Sequence, residues 1–317
     1  MKCFNIPGPQ THFDLNVFFL GLMEQYPQYF YPDVKVSSIF GNFQYCIWDG
    51  GRNFAHYNQV TEERMIEIKD TYAHFQVPIR FVFTNPVIEK KHLYDRFGNL
   101  CLEIFHDEKN EIVVNSPLME DYLRENYPKY KIISSTTKRI TNKDKFMEEL
   151  ANPNYYQVCL DYDLNKNMEL INSVPQELRP KVEFLINAIC PPHCPQRKEH
   201  YALTGKAHIS YLKDKYTNDK CGIRESSIHP KVLGKGNNFT LEDIDNYSKL
   251  GYKYFKLEGR TLHSYDVLAM YLYYMVKPEW HYDIIGTALL LDGVIINSPN
   301  SEYKYQLIKE PFYNIAL

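Results

Sequence analysis

Residues 111–137 read EIVVNSPLMEDYLRENYPKYKIISSTT, and the order of elements in this stretch sets the fold. Its two ends, "EIVVNS" and "KIISST", are short apolar runs rich in β-branched residues, with the length of a buried strand. Between them Pro117 opens a segment in which Leu118, Tyr122 and Leu123 stand at helical spacing. A strand, a helix and a second strand in so short a span point to parallel neighbours joined by a helical crossover.

The same rhythm extends in both directions. "KCFNI", "KVSSIFG", "IRFVFTN", "YYQVCLDY", "KVEFLIN" and "YKYFKLEG" also read as strands. "TNKDKFMEELA" is a helix with its cap at Thr141 or Asn142. "FTLEDIDNYSKLG" is one with Thr240 as N-cap, Asp243 three residues on and Gly251 as the stop, and "SYDVLAMYLYYMV" is a largely apolar helix. Eight strand-helix units predict an α/β chain folded as a TIM-type (β/α)8 barrel, one domain over residues 1–317, rather than an open sheet. No G-x-G-x-x-G or G-x-x-x-x-G-K stretch supports a nucleotide fold. Residues 202–238 lack clear periodicity, so the cysteine-containing stretch 190–238 is expected to be a long loop over the barrel mouth between strands seven and eight.

A barrel of this type works at the C-terminal ends of its strands. Those ends are polar here: Asn85, Asn115, Ser116, Ser134 to Thr137, Asp161, Asn187, Glu258 and Arg260. Polar residues also simply begin loops, but gathered at one mouth they make a binding site, with Asn85, Asn115, Asp161 and Asn187 as candidate substrate ligands. Glu258 can act as acid or base, and Arg260 offers a planar donor fork to a carboxylate or phosphate. A mutual salt bridge between these two is the structural alternative. Lys256 alternates with Glu258 and should share its face, and Glu183 reads as a layer residue inside the barrel. "GGR" at 50–52 reads as a glycine turn before it reads as an anion nest. His12, His56 and His263 lie near strand ends as candidate proton carriers.

With 44% hydrophobic and 24% charged residues, the 317-residue chain can bury a sizeable core. A net charge of −3 and a pI near 6.4 give no broad nucleic-acid footprint. No apolar run approaches the ~18 residues of a membrane span, and "MKCFNIPGPQ" meets Pro7 and Pro9 before a signal-type apolar region could form. The expectation is a cytoplasmic protein. Seven cysteines then favour free thiols or metal ligands over disulfides.

The ligand-rich stretch is "INAICPPHCPQRKEHY", 186–201, where Cys190 and Cys194 stand four apart among stiffening prolines and near His193 and His200. Thiolates suit zinc or an iron–sulfur cluster. Cys221 lies further along the same region. Cys46, after the second strand, and Cys159, near the end of the sixth, are the alternatives for a fourth ligand, with Cys159 able to point into the barrel wall instead. Cys3 and Cys101 read as structural.

"VEFLINAICPPHC" and "LEDIDNYSKLGYKYFKLEGR" resemble segments of the collagenase-like peptidase family, a TIM-barrel group that includes RNA-hydroxylation and anaerobic ubiquinone-hydroxylation proteins. "KLEGR" is the more specific match, and "PHCPQRKEHY" suggests a divergent branch. The resemblance implies a [4Fe-4S] cluster on Cys190, Cys194 and Cys221. Many relatives place a further cysteine in the helix before the last strand, where this chain has Asp245 and no thiol. A subset instead takes one after the second strand, and "FGNFQYC" looks like that arrangement, making Cys46 the preferred fourth ligand. Three cysteines with an open iron, or zinc, stay open. The implied activity is redox or hydroxylation-type modification of a polymer or small aromatic substrate, with Glu258 and Arg260 facing it. Proteolysis is a second reading, weakened by the absence of an H-E-x-x-H motif or a Ser-His-Asp arrangement. The third is a non-catalytic, metal-stapled barrel serving as a subunit of a complex, and a protein partner or second subunit is possible under any of the three.

Overall fold

All eight apolar runs form strands. In the computed structural model, which describes residues 1–52, 60–211 and 236–290, they are β1 (Lys2–Pro7), β2 (Val34–Phe40), β3 (Ile79–Phe83), β4 (Glu111–Val114), β5 (Lys131–Ser134), β6 (Gln157–Cys159), β7 (Val182–Leu185) and β8 (Tyr254–Lys256). Each pairs in parallel with the next, and β8 returns to β1 through Cys3 opposite Tyr254, Phe4 opposite Phe255 and Asn5 opposite Lys256, closing the barrel. This is the (β/α)8 architecture expected from the sequence.

The helices between the strands are α1 (Phe13–Gln25), α2 (Glu62–His74), α3 (Arg96–Ile104), α4 (Pro117–Asn126), α5 (Lys143–Ala151), α6 (Met168–Ser173), α7 (Arg197–Ile209) and α8 (Leu241–Lys249). After β8 come α9 (Ser264–Met275) and α10 (His281–Leu290). Local chemistry explains several boundaries. Pro117 occupies the first turn of α4, where its missing N–H costs nothing. Asn142, of the two candidates, caps α5 by accepting from the Lys145 amide. Thr240 and Asp243 form a reciprocal capping box at α8, and Gly251 follows its end with φ +99°. None of the helices among the described residues is long and apolar enough to cross a membrane.

Alternation along the strands separates two environments. One set of positions, including Ile79, Phe81, Phe83, Ile112, Phe184 and Phe255, joins the main apolar core with the surrounding helices. The other set points inward and is polar at its lower level. There Arg80 donates through Nε to Glu111 Oε2 (2.6 Å), through Nη2 to Gln157 Oε1 (2.8 Å) and through Nη1 to Glu183. Asn5 also donates to Glu183, and the Cys159 thiol donates to its other oxygen at 2.6 Å. Glu183 is thus a layer residue inside the barrel. Burial alone raises its pKa, but Arg80 and Lys256 outweigh that and hold it below the usual glutamate value.

The expected long loop between β7 and β8 needs one correction. Its first part is the helix α7, which buries Tyr201, Thr204, Gly205, Ala207 and His208. These are small and polar residues rather than aliphatic ones, so the helix shows no apolar stripe in the sequence. Residues 212–235 of that stretch lie outside the described residues, and so do Cys221 and His56.

Candidate functional site

At the C-terminal ends of the strands a cleft of roughly 590 Å³, part of it open to solvent, is lined by Phe40, Gly50, Gly51, Arg52, Val82, Thr84, Ser135 to Thr137, Tyr162, Leu185, Tyr201, Lys256, Glu258 and Arg260. Two segments build its charged rim: Asp49–Arg52, on the loop after β2, and Lys256–Arg260, at the end of β8. They interlock. Arg52 Nη2 pairs with Glu258 Oε1, while Arg260 Nη1 donates to Asp49 Oδ1 at 2.6 Å and its Nη2 to the Gly50 carbonyl at 3.0 Å. Glu258 and Arg260 are therefore ion-paired, but each with the β2 loop rather than with one another. The second oxygen of Glu258 accepts from the Ile189 amide at 2.8 Å.

Close backbone contact makes this rim possible. A Cβ on Gly50 would sit 2.4 Å from the Thr84 carbonyl oxygen, so only glycine lets the loop lie on the end of β3. Gly51 has φ +79° and turns the chain towards Arg52. The "GGR" stretch is thus a glycine turn whose arginine is committed to Glu258. Beneath the turn between Glu258 and Arg260, His12 is 4% exposed; its Nε2 donates to the Gly259 carbonyl at 2.9 Å and its Nδ1 lies 3.2 Å from Ser264 Oγ. Burial pushes the His12 pKa down to about 4, so the ring is neutral at pH 7.

Lys256 sits lower in the cleft. It lines the same space as Glu258, as its alternation predicts, and its Nζ lies 4.1 Å from the centre of the Phe40 ring. Burial lowers its pKa, with the nearby Glu183 acting in the opposite direction.

The strand-end residues expected to bind substrate are placed around the cleft rather than on its lining. Asn85 is buried, its amide donating to the Ile47 and Gly205 carbonyls (2.7 and 3.0 Å), which ties the β2 loop and α7 to the end of β3. Asn187 bonds the backbone of Glu258 twice, accepting from its N–H at 2.6 Å and donating to its carbonyl at 2.9 Å, and so holds that residue in place. Asn115 donates to Thr137 Oγ1 at 2.7 Å. Asp161 accepts two bonds from Arg139, at 2.7 and 2.6 Å; burial raises its pKa.

Cys190 and Cys194 are brought together in a small apolar cluster with Tyr162, Ala188 and Leu185. An ionic lattice fastens this segment to the end of β6. Arg197 is buried, lies 4.1 Å over the Tyr162 ring, and donates to both oxygens of Asp163 (2.9 and 3.0 Å) and to the Pro191 carbonyl (2.6 Å). His193, at φ +53°, gives its amide to Asp163 Oδ1 at 2.9 Å, and Arg139 Nη2 reaches Asp163 Oδ2 at 2.8 Å. Cys46 lies elsewhere. It is buried in the main core, and burial followed by the neighbouring Cys101 pushes its thiol pKa well up. Cys159 faces Glu183 inside the barrel. Among the described residues no group of three histidine, cysteine or acidic side chains is arranged to hold a metal ion.

No family model matches the chain. Over 165 residues it is 24% identical to an uncharacterized protease of Methanocaldococcus jannaschii, a match that takes in 50% of this chain and 48% of that protein. The chain thus spans about half the length of the curated relative it matches. A U32 peptidase of solved structure is similar at a TM-score of 0.49 and 14% identity, over 82% of this chain and 93% of that one.

Sequence reasoning missed Asp49, Asp163 and Arg197 as parts of the site, and met Arg52 only as the end of a glycine turn or anion nest. Asp49 and Arg52 flank a glycine pair already noticed, which was the available signal. Asp163 and Arg197 carried none, because their pairing spans 34 residues of chain.

Proposed function

We propose that the chain belongs to the collagenase-like peptidase family and works as an enzyme in the mouth cleft, modifying its substrate in a redox or hydroxylation-type reaction with a [4Fe-4S] cluster. One observation carries this reading: Cys190 and Cys194 pack against Tyr162 and Leu185, and these two residues also line the cleft. A metal centre on that pair is one side-chain layer from a bound substrate.

The residues fit such a group in part. Two thiols four positions apart, with the Arg197 guanidinium bonded to the Pro191 carbonyl next to Cys190, suit thiolate ligation, which a nearby cation favours. Cys221, outside the described residues, is the third ligand in this reading. Because Cys46 is buried in a different apolar cluster and Cys159 is held by Glu183, the arrangement favours three cysteines with an open iron over four. The cluster supplies electron transfer or a Lewis-acidic iron. The chain's own residues do the rest. Arg52 and Arg260 hold the rim closed on Glu258 and Asp49, Glu258 offers a carboxylate to a polar substrate group, and Tyr162 and Tyr201, with hydroxyls 3.3 Å apart, form a wall.

Metal and acid-labile sulfide analysis of anaerobically purified protein tests the reading. The expected result is about four iron and four sulfide per chain, lost in the Cys190→Ala, Cys194→Ala variant. Stoichiometric zinc would favour a structural or hydrolytic metal, and no metal at all would overturn the proposal. Peptide hydrolysis is the second reading, favoured by the similarity to the archaeal protease. Against it, none of the described residues lining the cleft is a histidine or cysteine able to form a nucleophile–base pair. Peptide cleavage by metal-free protein would establish it.

A further inference from the structure

We propose that the Lys256 amine forms an imine with an aldehyde or ketone substrate held in the mouth cleft. The inference shares the cleft with the reading above and rests on it only for the place of reaction, since it needs neither the cysteines nor a metal.

The argument begins with a census of cations. Arg52 is committed to Glu258, Arg260 to Asp49, and Arg80 to Glu111 and Glu183. Lys256, among the described residues, makes no ion pair and no hydrogen bond, although it lines the cleft. Its neighbours act on it only through space: Glu183 on β7, Cys159 on β6, Arg80 on β3, and Arg260 beyond β8. Phe40 packs under its amino group, which keeps the side chain in one place. A desolvated lysine with no fixed counter-ion is the form in which this side chain serves as a nucleophile. Burial also shifts its proton equilibrium towards the free amine.

A second observation points to the same ligand chemistry. Thr84 Oγ1 and Thr136 Oγ1 are buried without a hydrogen-bond partner among the described residues, and both residues line this cleft. Unpaired buried hydroxyls are costly, and a substrate carbonyl or the hydroxyl it becomes would satisfy them. In the reaction the nitrogen lone pair of Lys256 adds to the carbonyl carbon, and the oxygen takes up a proton to give a carbinolamine. Loss of that hydroxyl as water, with the second N–H proton, leaves a C=N bond to Nζ. No electrons are gained or lost.

Reductive trapping tests this. The purified full chain is incubated with glyoxylate and cyanoborohydride, and peptide mapping by mass spectrometry reports carboxymethyl adducts lysine by lysine. Lys256 is expected to be labelled faster than the exposed Lys145, because the free amine is the form that adds to the carbonyl. The adduct should vanish in Lys256→Arg, which keeps the charge, with circular dichroism and melting temperature unchanged. Labelling of Lys256 no faster than Lys145 would overturn the proposal, and that comparison is made within the wild-type chain, so it stands even where a variant fails to fold. Iron and sulfide measured on the same preparation keep a failure here separate from a failure of the cluster reading.

Discussion

Asp163 accepts from both η nitrogens of Arg197, from Arg139 and from the His193 amide, so one carboxylate holds the turn between Cys190 and Cys194. Removing one member of a buried ion pair leaves the other charge uncompensated, at a cost of about 3–5 kcal/mol. Asp163→Ala should lose that much in urea denaturation, and any metal bound by the adjacent thiols should bind more weakly. The pH dependence follows from the same contacts. Burial opposes ionisation, but Arg197, the His193 amide and Arg139 prevail and hold the Asp163 pKa at about 2. Its stabilisation is complete above the ordinary value of 3.8 and is lost as pH falls towards 2. His12 acts in a higher window. Burial keeps it neutral in the fold down to about pH 4, while the unfolded chain takes up the proton near 6.5, so stability should fall by about 3 kcal/mol between those values. His12→Gln should flatten that part of a melting-temperature-against-pH curve; an unchanged slope would show that another group is responsible.

At the scale of elements, the loop from Gly41 to Arg52 is the piece that converts a barrel end into a cleft. Gly50 is its hinge point against β3, and Gly50→Ala forces a methyl group into the Thr84 carbonyl, which is backbone and has little room to move. A loss of about 1–3 kcal/mol is expected by thermal melting. Gly205→Ala should have a comparable effect by displacing the Asn85 side chain, whose Oδ1 would lie 2.2 Å from the new Cβ. The elements themselves were legible to very different degrees. Strands such as "EIVVNS" announce themselves because parallel strands are covered on both faces and read as apolar runs. Helix α7 does not, because its buried face is made of Thr204, Gly205, Ala207 and His208. The asparagines at strand ends were visible, but their work was not. Asn85 bonds carbonyls 38 and 120 residues away, and Asn187 bonds the backbone of Glu258, partners that only the closed barrel brings near.

For the molecule as a whole, the barrel is closed around charge. Arg80, Glu111 and Glu183 have side chains 1%, 6% and 0% exposed, and their partners come from β1, β3, β4, β6 and β7. Such a layer specifies which strands meet, since each donor of Arg80 finds an acceptor on a different strand, whereas its net contribution to stability is small once desolvation is counted. The two effects separate by experiment. Arg80→Met alone leaves two buried carboxylates without their cation and should cost about 3–5 kcal/mol in urea denaturation. Adding Glu111→Gln and Glu183→Gln removes the stranded charges while keeping an acceptor oxygen for one of Asn5 and Cys159, so the triple variant should regain most of that loss. Lys256 then loses the Glu183 charge that favours its protonated form together with the weaker opposing charge of Arg80, and its labelling by glyoxylate should rise over that of wild type. If the triple variant were as unstable as Arg80→Met alone, hydrogen-bond geometry rather than charge balance would be what the layer provides.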